Sequence, residues 1–575
     1  MDERAEVSEG DWVDRFADEV IATAARRAPG KQIICASGLS PSGPIHLGNQ
    51  REAMTPHLVA DEIRRRGADC VHIISWDDYD RFRKVPVGVP AEWAQHIGKP
   101  LTSVPAPPGS DYANWAEHFK APMISSMGRL GMEFRGISQT EMYTSGAYTE
   151  QILLAMRERR QIDAILDKYR TKGRSMKAAA NLSADEAAAA ADAAEGSGAA
   201  SEDDGGAGSD YYPYKPYCTS CGRDTTTVTA YDDETTSLTY TCACGFSETV
   251  LLREHRSGKL VWKVDWPMRW AYEGVDFEPS GVDHSSPGSS FVVGGEIVGP
   301  IFGGDQPIGP MYAFVGIAGM AKMSSSRGGV PTATDALEIM EPQLLRWLYA
   351  RRRPNQSFQI SFGQENQKLY AEWDALTSRV ASGTATPADA SAHRRAVETA
   401  VGVLPSTPHP MPFGTLASIV DVTTGNPDQT LRIVRDLDPD DPVSSLSELQ
   451  PRLDCAQHWI TTQVPESERT RVLSSPSPLL SSLDDAQRTA LRMLVDGLDE
   501  NWSLAGLTTL VYGVPKRQLG LPLDVKPTPE LRVAQRNFFV LLYELLVGRD
   551  TGPRLPTLLL AVGADRVRTL LSPPS

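Results

Sequence analysis

The stretch from Ser37 to Asn49, Ser-Gly-Leu-Ser-Pro-Ser-Gly-Pro-Ile-His-Leu-Gly-Asn, most constrains how this chain can fold. It follows a short apolar run, residues 32–36, which predicts a buried strand. Pro44 is a typical first-turn residue and Gly67 a typical stop, so a helix is expected between them. Strand, Gly/Ser/Pro loop and helix N-terminus in this order predict an anion site, because free backbone N–H groups and the helix dipole point at the same place.

His46 and Asn49 are three residues apart, so both project from one side of the first helical turn. Gly48 lies between them and leaves room for a flat ring. The plainer interpretation is that His46 and Asn49 only cap the backbone. This loop resembles the HIGH signature of class I aminoacyl-tRNA synthetases, and residues 321–329, Ala-Lys-Met-Ser-Ser-Ser-Arg-Gly-Gly, resemble their KMSKS loop. Together, in this order, the two loops predict a class I synthetase.

The length and composition predict several domains and no membrane segment. A chain of 575 residues exceeds the usual size of one domain. Its longest apolar run, residues 555–564, is too short to span a bilayer. The N-terminus is charged and has no signal-peptide core. Seven cysteines, four of them clustered, fit a reducing compartment, so a cytoplasmic protein is expected.

The net charge of −16 at first argues against a nucleic-acid partner. Residues 178–210 carry eight of the acidic side chains among Ala, Gly and Ser, and such a segment is expected to be disordered. The remaining body has a charge of about −8 and contains basic clusters at 64–66 and 351–353. Local patches of this kind, rather than the total charge, decide contact with phosphates.

Residues 70–75 predict a second strand, which runs into the three carboxylates of Asp77, Asp78 and Asp80. In a parallel sheet this end of a strand faces the ligand crevice, and carboxylates buried there need a cation. The partner is either a cationic substrate or a basic side chain of the same turn. Those side chains are Arg81, Arg83 and Lys84.

Two pairs of cysteines predict a structural zinc site. Cys218 and Cys221 form one pair, Cys242 and Cys244 the other, and a glycine follows each pair. Four thiolates suit a tetrahedral zinc ribbon and leave no open position for catalysis. The Thr-rich stretch 225–241 between them is expected to form a hairpin.

Two further regions complete the pattern. Residues 259–270 are interpreted as a strand, followed by a Gly-rich loop that carries Asp283 and His284, as in the second half of a split nucleotide-binding domain. Beyond residue 366 the pattern is helical, with a start at Thr528 and a stop at Gly548.

The chain is identified as a member of the class I lysyl-tRNA synthetase family on four stretches. They are Ser40–Glu52, Ser75–Asp80, Lys263–Trp270 and Lys322–Ser326. The resemblance implies an α/β Rossmann-type catalytic domain with a zinc-ribbon insertion, plus an all-α anticodon-binding domain. It implies ATP with Mg²⁺, L-lysine and tRNA(Lys) as partners, structural Zn²⁺, and a monomer. The expected ranges are 1–110 and 256–320 for the Rossmann halves, 111–255 for the insertion with its ribbon at 215–248, 321–365 for the KMSKS-like connection, and 366–575 for the helical domain.

The same resemblance assigns site residues by motif position. The expected catalytic residues are His46, Asn49 and Lys322. ATP would be bound by Pro41, Gly43, His46, Gly48, Asn49, Lys322, Ser324 and Ser325. The lysine pocket would be lined by Gly38, Ser40, Asp77, Asp78, Trp262, His284 and Tyr312. The zinc ligands would be Cys218, Cys221, Cys242 and Cys244. Ser325 stands where the general signature has its second lysine, and Arg327 is a candidate to supply the missing charge.

Three alternatives stay open at this point. A glutamyl-tRNA synthetase would carry an arginine four residues before the Ser-Pro of the signature, where this chain has Ala36. A nucleotidylyltransferase would share the fold without needing a zinc insertion and a helical tail. A non-catalytic tRNA-binding paralogue would be expected to lose loop residues, yet His46 and Lys322 are both present.

Overall fold

The computed structural model describes residues 11–179, 210–284, 288–319 and 329–572. Contacts divide the chain into two compact units. The first contains residues 1–336, 342–360 and 379–404, and the second contains 337–341, 361–378 and 405–575. The expected disorder of 178–210 falls almost wholly on residues 180–209, outside the described residues. In the part of the chain that is described, no helix is long and apolar enough to cross a membrane.

The first unit is organised around a parallel sheet. Its strands β1, β2 and β3 are Ile33–Leu39, Cys70–Trp76 and Arg135–Ser138, hydrogen-bonded in the order β1-β2-β3. On the other side of β1, Phe277 pairs with Cys35 and Ile308 pairs with Phe277, both in parallel. The short strands Ser280–Gly281 and Met311–Tyr312 continue this pairing. The result is the 3-2-1-4-5 strand order of a doubly wound sheet, with β1 at its centre.

Helices cover this sheet. The two used below are α1, Trp12–Arg27, and α2, Leu47–Arg65. The others of the unit are Trp115–Arg129, Gln139–Ser145, Thr149–Arg157, Arg159–Ala179, Trp262–Glu273, Ser290–Phe302, Pro342–Ala350 and Pro387–Val397, with Ala333–Ile339 at the boundary with the second unit. A separate antiparallel sheet of Thr226–Tyr231, Ser237–Cys242 and Ser247–Leu251 contains the predicted hairpin. Smaller strand pairs join Tyr214–Pro216 to Gly258–Leu260, Val315–Ile317 to Phe358–Ile360, and Glu398–Thr399 to Gly402–Val403.

Three local predictions differ from the structure. Helix α2 begins at Leu47 rather than near Pro44, because the chain stays extended until the His46 cap. Residues 262–270 are helical and not a strand, since Trp262, Trp266 and Trp270 recur every four residues and so share one helix face. The third strand of the sheet, Arg135–Ser138, lies within the range expected for the insertion.

The second unit is helical, as the pattern beyond residue 366 predicted. Its helices are Glu365–Ala381, Phe413–Thr423, Pro427–Leu437, Arg452–Gln463, Asp485–Asp496, Leu504–Gln518, Pro529–Val547, Leu555–Val562 and Ala564–Leu571. The predicted start and stop at Thr528 and Gly548 are confirmed. The Thr528 side chain caps the Leu531 N–H, and Gly548 takes the left-handed conformation at φ +71°.

Candidate functional site

His46 is the N-cap of α2, and it forms a reciprocal cap with Asn49. Its Nδ1 accepts hydrogen bonds from the N–H groups of Gly48 (3.0 Å) and Asn49 (3.4 Å), while Asn49 Oδ1 accepts from the His46 N–H (3.2 Å). Burial lowers the pKa of His46 to about 4, so the ring is neutral at pH 7. Because Nδ1 is an acceptor, the proton of the neutral ring lies on Nε2. Capping is therefore real, and it leaves an uncharged Nε2–H at the helix N-terminus.

The chain that follows the second predicted loop lies against this helix start. The Leu47 N–H donates to the Pro331 carbonyl (3.1 Å), and His46 forms an isolated antiparallel bridge with Thr332. The loop residues Lys322, Ser324, Ser325 and Arg327 lie outside the described residues. The segment 329–332 nevertheless ends beside His46, so the two predicted loops approach each other at that end.

The signature loop is also held from the side, by Trp115. This fully buried side chain packs its ring against Phe82 at 4.8 Å, and its Nε1 donates to the Ser42 carbonyl (3.1 Å). Pro41 and Gly43, on either side of Ser42, are buried. The contact fixes the loop that was predicted to bind ATP, although no pattern in the sequence pointed to Trp115.

A carboxylate on α2 forms the floor of a pocket at the carboxyl end of β1. Glu52 Oε1 accepts from the Gly38 N–H (3.3 Å), and Oε2 accepts from the Tyr312 hydroxyl (3.0 Å). A Cβ built on Gly38 would lie 3.8 Å from Glu52 Oε1 and 3.9 Å from Asp77 Oδ2. Gly38, Asp77 and Tyr312, which were predicted from widely separated stretches, therefore converge on Glu52. Glu52 was not among the predicted site residues.

Glu52 has no cationic partner among the described residues of the chain. Burial raises its pKa to about 8, and the nearby carboxylates of Glu278 and Asp77 contribute to the increase. Glu278 is itself buried, accepts a hydrogen bond from Trp270 Nε1 (2.6 Å), and has a pKa raised by burial to about 7. Three carboxylates that face a partly enclosed space without enough cations form a site for a positively charged ligand.

The acidic turn predicted for that ligand is, by contrast, largely neutralised by the protein. Asp77 Oδ1 accepts from Arg269 (2.6 Å), and burial nevertheless raises its pKa to about 6. Asp80 forms an ion pair with Lys259. These cations come from distant parts of the chain and not from the turn itself. Arg81 instead contacts Asp224 at 3.3 Å.

Asp78 is the most fully satisfied of these acids. Its Oδ2 accepts from Lys120 Nζ (3.1 Å) and the Ser138 hydroxyl (2.8 Å), and its Oδ1 accepts from the Thr140 N–H (2.8 Å). The residue has no exposed surface. Its contacts tie the end of β2 to β3 and to the following helix, which is a structural arrangement.

An aromatic wall stands beside the acidic pocket. The Trp262 ring stacks on Trp266 at 5.2 Å, and His284 meets Trp266 edge-on at 5.6 Å. Arg269, the partner of Asp77, lies 5.6 Å from the centre of the Trp262 ring. The buried Nε1 of Trp262 has no hydrogen-bond partner among the described residues, so it is available to a bound molecule. Ser40, also predicted for this pocket, is partly exposed just beyond the end of β1.

The four clustered cysteines come together as predicted. Their sulfur atoms lie within 4.8 Å of one another, with Cys218–Cys244 at 3.9 Å and Cys221–Cys242 at 3.7 Å. A tetrahedral zinc with bonds of about 2.3 Å requires sulfur separations of about 3.8 Å. The cluster could therefore hold such an ion.

The site residues missed by sequence reasoning are Glu52, Glu278, Arg269 and Trp115. Glu52 carries a weak signal, since it lies three residues after Asn49 on the same helix. For Arg269 the stretch was noted, but its pairing with Asp77 across 192 positions has no local signature.

Comparison with known proteins places the chain in a family. A family described as tRNA synthetases class I (K) matches residues 10–402. A lysine–tRNA ligase of Streptomyces coelicolor is 68% identical over 573 residues, which cover 98% of each chain. Lysine–tRNA ligases of Treponema pallidum and Pyrococcus horikoshii are each 32% identical, over 98% and 95% of this chain and 98% and 96% of their own.

A solved structure of a glutamate tRNA ligase from Elizabethkingia meningosepticum is similar over 94% of this chain and 98% of its own, with 12% identity and a TM-score of 0.42. That likeness is too distant to support an argument. The family match over more than half of the chain, with relatives that align along nearly its full length, is decisive. With its α/β unit and its helical unit, the chain belongs to the class I tRNA synthetases.

Proposed function

We propose that this protein attaches L-lysine to tRNA(Lys) in an ATP-dependent reaction that passes through lysyl-adenylate. The single observation that carries the choice of amino acid is Glu52. It is a carboxylate with no cationic partner among the described residues, held by Tyr312 and Gly38 at the carboxyl end of the central strand. The lysine–tRNA ligases similar along the whole chain support the same assignment.

The ε-ammonium of lysine fits this pocket on charge. An ammonium that leaves water needs a charged partner, because an unpaired buried charge costs several kcal/mol. Glu52 supplies that charge, the Tyr312 hydroxyl orients it, and Gly38 leaves room because it has no side chain. A glutamate side chain would meet Glu52, Asp77 and Glu278 with like charge. The pocket is therefore selective by repulsion as well as by attraction.

The predicted roles of Asp77 and Asp78 separate in this proposal. Asp77 faces Gly38 with Oδ2 while Arg269 holds Oδ1, so it contributes negative potential to the pocket. Asp78 is filled by three protein donors and is given the role of holding the turn in place. Trp262, with its unpartnered Nε1, and His284 form the wall on which the lysine lies.

The chemistry at the phosphate follows from the helix start. The lysine carboxylate attacks the α-phosphorus of Mg²⁺-bound ATP, a bond to that phosphorus forms, and pyrophosphate leaves. Negative charge spreads over the phosphate oxygens during this step, and preorganised donors stabilise it. His46 offers Nε2–H as a neutral donor, and Asn49 keeps its amide N–H₂ because its own cap uses Oδ1. Lys322, Ser324 and Ser325 are proposed to complete the site, with Arg327 as a further cation.

The second step transfers the lysyl group to RNA. A hydroxyl of the terminal ribose of the tRNA attacks the carbonyl carbon of the adenylate, and AMP leaves with its phosphate. We assign the helical unit to tRNA binding. We also keep the sequence-based expectation of a cytoplasmic monomer.

The cysteine cluster is proposed to hold a structural Zn²⁺ in a ribbon. Four thiolate ligands leave no open position, so the ion supplies folding energy and no chemistry. The ribbon braces the acidic turn, because the hydroxyl of Tyr217, the residue before Cys218, donates to the Tyr79 carbonyl (2.6 Å). Purified protein is expected to contain about one Zn per chain. Four freely titratable thiols in native, metal-free protein would remove the ribbon from the proposal.

The test of the function is amino-acid-dependent exchange of pyrophosphate into ATP, followed by charging of tRNA. Exchange should require lysine, and glutamate should be rejected by at least ~10³-fold. By family resemblance activation requires tRNA, so the assay is run with and without it. Preferential charging of glutamate would overturn the choice of substrate. Exchange with no dependence on any amino acid would point to a nucleotidylyltransferase, and its complete absence to a non-catalytic paralogue.

A further inference from the structure

The helices Leu504–Gln518 and Pro529–Val547 of the second unit expose an aromatic and basic surface that none of the predicted roles uses. Tyr512 is 45% exposed and meets the ring of Phe539 edge-on at 4.9 Å. The two helices are joined there, because Gln535 Nε2 donates to the Tyr512 carbonyl (3.2 Å). An exposed tyrosine held rigidly by a second ring differs from the surface residues around it, most of which are small or charged.

Basic side chains lie beside these rings. Arg532, Arg536 and Phe539 occupy positions i, i+4 and i+7 of one helix, so they share a face with the ring that contacts Tyr512. On the other helix Lys516 follows Tyr512 by four residues and shares its face in the same way. Arg532 and Arg536 are exposed. Neither arginine forms an ion pair with any described residue, whereas Arg469 and Arg568 of the same unit each pair with an acid.

The charge of this surface is opposite to that of the whole protein. Residues 504–543 contain five basic and two acidic side chains, in a chain of net charge −16. The acids are Asp524 and Glu530. Because basic groups without local partners attract polyanions, the surface favours a phosphate-bearing partner over a neutral one.

We infer that this surface, formed by Tyr512, Lys516, Arg532, Arg536 and Phe539, binds a single-stranded segment of the tRNA. An exposed aromatic ring beside unpaired arginines is how proteins bind unpaired nucleotides: a base stacks on the ring and the cations contact the phosphates. Double-stranded RNA would use the cations but not the tyrosine, since its bases are already stacked. The inference rests on the proposed function, which supplies tRNA as the partner.

The test is direct binding of tRNA(Lys) transcript to the full-length protein, measured across a series of salt concentrations. Tyr512→Ala is expected to weaken binding by about 10-fold through loss of one stacked base. Tyr512→Phe keeps the ring and should bind within about twofold of the unchanged protein. The double variant Arg532→Gln/Arg536→Gln should lower the slope of log Kd against log salt by about 1.4, as expected for two contacts to single-strand phosphates.

Matched controls separate this role from a structural one. Arg432→Gln changes an equally exposed arginine that forms no ion pair with described residues, on the helix Pro427–Leu437, and should leave tRNA affinity and its salt slope unchanged. KM for lysine and for ATP, and Tm, should be unchanged in the arginine double variant. Because binding does not depend on catalysis, the surface is judged even if the enzyme charges another amino acid. Unchanged tRNA affinity in both Tyr512→Ala and the double variant overturns the inference, and this is also the result if the surface binds a protein.

Discussion

The two ends of helix α2 each carry a glutamate, and the two are in opposite states. Glu62, near the C-terminal end, is 2% exposed and accepts from Arg65, Arg66 and Arg395, with Arg395 Nη1 at 2.6 Å. These arginines hold the pKa of Glu62 well below its usual range. Glu52, ten residues earlier, has no cation from the described residues, and its pKa is raised to about 8.

The contrast shows how one helix serves both stability and function. The C-terminal end is saturated with protein partners, since Arg395 also bonds to Asp11 at the start of α1 (2.8 Å). The N-terminal end keeps its carboxylate without a cation and its His46 Nε2–H unspent in capping. A charge that the fold leaves unneutralised costs stability, and a ligand of opposite charge recovers that cost on binding.

The largest effect is expected from Glu52→Gln. The change removes the charge that meets the ammonium and keeps the shape, so KM for lysine should rise by about 10²–10³-fold, as for loss of one partner of a buried charge pair. KM for ATP should change little, and Tm should not fall. Steady-state kinetics with each substrate varied in turn measures this. An unchanged KM for lysine would show that the ammonium binds elsewhere.

His46→Asn should lower the rate of activation by about 10²-fold, because one preorganised donor at the phosphate is lost. Asparagine is a good N-cap, so the helix start should survive and Tm should stay within about 2 °C. His46→Ala loses the cap as well and should lower Tm further. Because His46 is neutral above its pKa of about 4, its contribution to the rate should not change between pH 6 and 8. A fall in rate that follows a titration of His46 in that range would contradict the neutral-donor role.

Glu62→Gln tests the other end of the helix. It leaves buried Arg395 short of a carboxylate, so the free energy of unfolding should fall by about 3 kcal/mol at pH 7. Because the folded-state pKa of Glu62 is depressed, its stabilisation is present above the unfolded-state pKa of about 4.5 and disappears as pH falls below it. Denaturant unfolding at pH 7 and pH 3 should therefore show the difference shrinking at acid pH. KM for lysine should be unchanged, and a large increase would mean that the two ends are not independent.

The smallest effect expected is a release of protons when lysine binds. The raised pKa of Glu52 means that this carboxyl is mostly protonated at pH 7, and an ammonium beside it favours the ionised form. Lysine binding should thus release up to about one proton, and KM for lysine should fall by up to roughly tenfold per unit as pH rises from 6 to 8. Calorimetry in buffers of different ionisation enthalpy measures the release. Glu52→Gln should reduce it and His46→Asn should not; equal release in both variants would assign the protons to other groups.

The same raised pKa predicts the sign of the stability change without ligand. A carboxyl whose pKa is higher in the folded state contributes stability below the unfolded-state pKa of about 4.5, and loses it as pH rises through about 8. The ligand-free protein should therefore become less stable over that range at Glu52 while Glu62 remains fully stabilising above pH 5. Thermal unfolding of Glu52→Gln beside the unchanged protein isolates this contribution.

Local patterns sufficed for much of the fold. The order of strand, glycine-rich loop and helix start around His46 was predictable because caps, turns and strands depend on neighbours a few residues away. The Thr528 cap and Gly548 stop are predictable for the same reason, and so are the hairpin and the gathering of Cys218 with Cys242. The helix at Trp262 was misread as a strand because a short apolar run supports both periods, and the spacing of its tryptophans was given too little weight.

By itself the sequence determined the two loops, the cysteine ligand set and the presence of an acidic turn after β2. Only the tertiary structure decided which carboxylate remains without a cation. Asp77, Asp78 and Asp80 have their charges met by Arg269, Lys120 and Lys259, which lie 42 to 192 positions away in the chain. Glu52 has no such partner among the described residues. Whether a carboxylate is neutralised depends on burial and on charges brought near by packing, and neither quantity is encoded in a local stretch of residues.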